Sequence, residues 1–89
     1  MDAHKMAQRV NALPGQFESQ LTPTQLNAIR SAIDGGAWDE AIDILIASLR
    51  NNESTITAAQ RTELETLVEA MRIPSYTLGQ LRIDDSPSR

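Results

Sequence analysis

Eighty-nine residues allow one domain with a single core and, at this size, only modest stability. The absence of cysteine excludes disulfides and thiolate metal sites, and a 40% hydrophobic content with only one Phe, one Tyr and one Trp suits helices better than strands. Twelve acids against eight Lys and Arg give a net charge of −4, which argues against nucleic acid or an anionic membrane as partner, because phosphate binding draws on clustered cations.

The chain opens Met1-Asp2-Ala3-His4-Lys5, with no basic segment leading into an apolar run of signal-peptide length. No apolar run approaches the roughly 20 residues that span a bilayer, so a cytoplasmic protein is expected. Met6, Ala7, Val10 and Leu13 fall at helical spacing, predicting a first helix over 3–13 that Pro14-Gly15 interrupts. Phe17 and Leu21 lie in a short connection expected to pack onto the core.

A second helix has a clear start. Thr22 is a good N-cap, Pro23 suits the first helical position, and Gln25 completes a capping box, with Leu21 and Leu26 placed as a hydrophobic staple. Leu26, Ile29, Ala32 and Ile33 form its inward stripe, and Gly35 is expected to end it in the left-handed conformation. A third helix is predicted from about Ala37 to Asn51. Trp38, Ala41, Ile42, Leu45 and Leu49 share one face, while Asp39, Glu40, Asp43 and Arg50 fall roughly opposite. Ile44 and Ile46 widen the apolar arc, as expected of a central helix touched by several neighbours. Asn51-Asn52 is a plausible stop.

The fourth helix repeats the starting device with Thr57 and Gln60. Leu64, Leu67, Val68 and Met71 point inward; Glu63, Glu65, Glu69 and Arg72 lie outside, with Arg61 and Glu65 at ion-pair spacing. Pro74 stands just beyond the end. Tyr76, Leu78, Leu81 and Ile83 are consistent with one last short helix starting near Ser75. Ser54-Thr55-Ile56-Thr57 favours strand but is short, and the cap accounts for it, so no strand is expected. The fold class is all-α: a compact antiparallel bundle of four to five short helices. Residues 1–83 form a single helical domain and 84–89 a disordered acidic tail.

Chemistry of the catalytic kind is missing from this pattern. The lone histidine, His4, lies near the terminus and has no nucleophile placed beside it. Asp39 and Asp43, one turn apart, supply fewer oxygens than a hard cation needs, and Gly35-Gly36 lacks the residues of a phosphate loop. No enzyme activity, cofactor or metal is expected. The acidity, in contrast, is concentrated. Asp34, Asp39, Glu40 and Asp43 fall within ten residues that contain no base. They read either as a solvated face well placed at a helix N-terminus, or as a surface that steers a basic protein. Trp38 reads either as a core aromatic between the second and third helices, or as an anchor whose ring edge meets a partner.

The order of these elements is a Gly-containing break, then Trp-Asp-Glu-Ala-Ile-Asp-Ile-Leu-Ile, a polar turn, Ile-Thr-x-x-Gln, and a helix ending Met-Arg-Ile-Pro. Over roughly Leu21 to Leu81 it resembles the MafI-type small helical immunity proteins of bacterial polymorphic toxin and contact-dependent inhibition systems. Here Gly36-Ala37-Trp38-Asp39-Glu40 stands where that family often has Gly followed directly by Glu. The resemblance implies a cytoplasmic monomer that binds and blocks the toxic C-terminal domain of a cognate effector, one to one. Such toxins are frequently nucleases, including RNases, with basic clefts. Asp34, Trp38, Asp39, Glu40, Asp43 and Tyr76 would then be the partner-binding residues. Tetratricopeptide hairpins can also give Gly-x-Trp-x-x-Ala-Ile, but no second copy stands out at their period of about 34 residues. A helical adaptor holding an amphipathic segment of another protein is the competing function; its binding would depend on apolar rather than acidic residues.

Overall fold

The computed structural model describes residues 2–73 and the backbone of residues 82–84. The fold is all-α, with four helices among the described residues: α1 (Ala3–Gln16), α2 (Pro23–Asp34), α3 (Trp38–Asn51) and α4 (Ala58–Met71). A short 3₁₀ turn, Glu18–Gln20, joins α1 to α2. Strand β1 (Thr55–Thr57) runs into α4 and pairs in parallel with β2 (Arg82–Asp84), Ile56 opposite Ile83.

Several expectations are corrected. Pro14 does not end α1; it is buried inside a last turn that continues to Gln16. Proline so near a C-terminus forfeits only the bond it would have donated to Val10, and the Phe17 N–H closes the turn on the Leu13 carbonyl at 3.1 Å. Thr55–Thr57 is a strand as well as a cap. Its partner lies more than twenty residues downstream, so nothing local announced the pairing. Ile83, expected in a last short helix, belongs to β2, and Asp84, placed in the tail, is that strand's final residue. Pro74, Tyr76, Leu78, Leu81 and residues 85–89 lie outside the described residues.

Three helices close with the same hydrogen-bond pattern. At the end of α2, Gly36 N–H donates to the Ile33 carbonyl and Ala37 N–H to the Ala32 carbonyl. This is a Schellman motif, and its left-handed residue is Gly36 (φ +78°), while Gly35, the expected one, stays right-handed at φ −80°. After α3 the left-handed place is taken by Glu53 (φ 52°), and after α4 by Arg72 (φ 57°). Side chains pay about 1–2 kcal/mol in that conformation, whereas glycine costs roughly 0.5–1 kcal/mol through the freedom it adds to the unfolded chain. Arg72→Gly should therefore raise stability by about 0.5–1 kcal/mol, and Gly36→Ala should lower it by about 1 kcal/mol, in urea unfolding followed by circular dichroism. Equal midpoints for the two variants would contradict the assigned backbone.

The core is continuous. Val10, Leu13 and Phe17 from the α1 side meet Ile29, Ile42, Leu45, Leu49, Ile56, Leu64 and Leu67, all fully buried. The wide apolar arc of α3 is used as expected: Ala41, Ile42, Leu45, Ile46, Ser48 and Leu49 are buried, and the helix packs against both α2 and α4. The α2–α3 interface is the most extensive between helices. Both predicted capping boxes are present, at Thr22/Gln25 and at Thr57/Gln60. Corresponding helices also begin at a constant offset: Ala3 and Trp38, like Pro23 and Ala58, are 35 positions apart. The sequence carries that offset in the two caps and in buried pairs such as Val10/Leu45, Ile29/Leu64 and Ile33/Val68, which corrects the expectation that no second copy lies at about this period.

Candidate docking surface

The two ends of the α2–α3 hairpin differ in kind. One end is closed by amide side chains. Gln25 Nε2 donates to Asn52 Oδ1 at 3.0 Å, and Asn52 Nδ2 returns a bond to Gln25 Oε1 at 2.7 Å. Gln20 and Gln60 make a second reciprocal pair at 3.1 and 2.9 Å. Asn52 Nδ2 and Ser54 Oγ also donate to the Gln20 carbonyl. Each polar group there serves another group of the same chain, which leaves little for an outside partner.

The opposite end carries the acids. Asp34 is the last residue of α2, and Asp39, Glu40 and Asp43 lie in the first turns of α3. All four are exposed. Asp39 to Asp43 is one turn, about 6 Å along the axis. Asp39 Oδ1 accepts the Glu40 N–H at 2.9 Å, a local bond at a helix start whose cap position, Ala37, offers no side-chain acceptor. From Ser31 to Leu49 the chain has no Lys or Arg. Among the described residues none of Asp39, Glu40 and Asp43 forms an ion pair. Three carboxylates thus stand exposed on the front of α3, and the positive end of the helix dipole favours the two in its first turn, Asp39 and Glu40.

Trp38, next to Asp39 in the chain, is half-buried and packs against the core. Asp34 is exposed but lines an open depression of about 280 Å³ with Asn11, Pro14, Gly15, Ile33 and Arg30. The structure therefore groups Trp38, Asp39, Glu40 and Asp43 on the front of α3 and gives Asp34 different company. Tyr76 lies outside the described residues.

The acids of α4 are differently disposed. Glu65 takes the expected bond from Arg61 at 3.0 Å. Glu63, read from the sequence as outward-facing, is half-buried and holds the Arg9 guanidinium of α1 in a two-point ion pair, with Nε donating to Oε2 at 2.9 Å and Nη2 to Oε1. The hydrogen bond to Glu63 raises the Arg9 pKa above its ordinary value. Sequence reasoning missed this pair and the amide links, because both join residues far apart in the chain; only the cap glutamines had a local signal.

Among the described residues, no group of three or more His, Asp or Glu side chains is placed to hold a metal ion, and no helix is long and apolar enough to cross a membrane. No family model, curated protein or solved structure matches the chain.

Proposed function

We propose that the chain is an immunity protein that binds the toxic C-terminal domain of a bacterial effector, a nuclease with a basic cleft, and blocks it stoichiometrically through the front of α3. The observation that carries the reading is the exposed trio Asp39, Glu40 and Asp43, free of ion pairs among the described residues and flanked by a half-buried Trp38. Fixed negative charge at that end would compete with nucleic-acid phosphate for the same cations and would speed encounter with a basic surface. A half-buried indole supplies contact area at small entropic cost, as anchors at protein interfaces do. The separation of roles along α2 and α3 favours the same reading: one end is tied up in internal bonds, and the other presents carboxylates that form no ion pair among the described residues.

The test is co-expression of the toxin domain encoded by the neighbouring reading frame, with and without this chain. Growth should be restored only when both are present, and the two should co-purify at one to one. Persistent toxicity with no complex would overturn the assignment.

A further inference from the structure

The amide bonds form one unbroken path between the two helix caps. In α2's cap, Gln25 Oε1 accepts the Thr22 N–H at 3.0 Å while its Nε2 bonds Asn52. Asn52 Nδ2 reaches the Gln20 carbonyl at 3.1 Å. The Gln20 side chain then joins Gln60, whose Oε1 accepts the Thr57 N–H of α4's cap at 2.9 Å. Side bonds brace the path: Gln20 Nε2 donates to the Thr55 carbonyl at 2.7 Å, and Gln60 Nε2 to the Gln16 carbonyl at 3.0 Å. Each capping glutamine thus has its amide oriented by a residue distant in the chain, Gln25 by Asn52 after α3 and Gln60 by Gln20 before α2. A free glutamine must give up rotamer freedom to close a capping box; here the partner amide has already restricted it.

We infer that the path Gln25–Asn52–Gln20–Gln60 is a latch that makes the N-caps of α2 and α4 open and close together. Gln20 is its hub, because its side chain serves one cap and its carbonyl the other. The device ties the starts of α2 and α4 to the end of α3, away from the acidic front of α3.

Native-state amide exchange, read by NMR on the full chain at Thr22, Gln25, Thr57 and Gln60, tests it. Gln20→Ala deletes bonds only on the α4 side. It should accelerate exchange at Thr57 and Gln60 by about five- to tenfold, the effect of losing one neutral hydrogen bond, and should also accelerate Thr22 and Gln25 severalfold. Asn52→Ala should act in the reverse direction, reaching Thr57 and Gln60 from the α2 side. Effects confined to the nearer cap in both variants would overturn the coupling. An equal acceleration at Leu45 and Ile46 in the centre of α3 would overturn it too, since the whole bundle would then be opening.

Discussion

Neutralising the front of α3 with Asp39→Asn, Glu40→Gln and Asp43→Asn together is expected to weaken binding of the proposed basic toxin domain by on the order of 100-fold and leave helical circular dichroism unchanged. Near a protein surface each facing charge contributes about 1 kcal/mol, so three give roughly 3 kcal/mol, which is about two decades in affinity. Stability should barely move. Losing Asp39 and Glu40 from the positive helix end costs about 0.3–1 kcal/mol each. Relief of the like-charge contact between Asp39 and Asp43, one turn apart, offsets part of that. Salt separates this mechanism from an apolar groove: raising ionic strength should weaken the native complex and have little effect on the triple variant. A triple variant that still protects cells fully would remove the acidic mechanism.

The second large effect concerns the core. Leu45→Ala should destabilise the protein by about 3–5 kcal/mol, since Leu45 is fully buried at the middle of α3, which packs on both α2 and α4. A domain of this size has roughly 5–10 kcal/mol to lose, so the variant should be half-unfolded at a markedly lower urea concentration. A loss below about 1 kcal/mol would show that α3 is not the central helix.

What the sequence made legible follows from distance along the chain. The caps at Thr22/Gln25 and Thr57/Gln60 were readable because a capping box is complete within four residues. The inward faces were readable because burial follows helical phase, and the breadth of the α3 stripe correctly announced neighbours on two sides. Pro14 misled because α1 absorbs the one bond its missing N–H forfeits and closes two residues later, at Gln16. The break after α2 was located correctly, yet the left-handed residue is Gly36, since two consecutive glycines leave the choice to the hydrogen bonds of the closing turn. The β1–β2 pairing, the Arg9–Glu63 ion pair and the amide latch were invisible for a shared reason: each joins segments far apart in sequence. Of the candidate surface, local pattern sufficed for Asp39, Glu40 and Asp43, which share one helix. Asp34 was grouped with them by proximity in the chain, and the fold places it beside Arg30 in a separate depression.

The most direct test of the proposed docking surface is an amide NMR titration of the isotopically labelled chain with the proposed toxin domain. The largest shift changes should fall on the amides of Trp38 to Asp43 and on the Trp38 indole, with the amide-latched end around Gln20, Gln25, Asn52 and Gln60 nearly silent. If the front of α3 stays unperturbed while the α1–α4 face around Arg9 and Glu63 responds, the partner docks elsewhere and the role given to these acids is wrong.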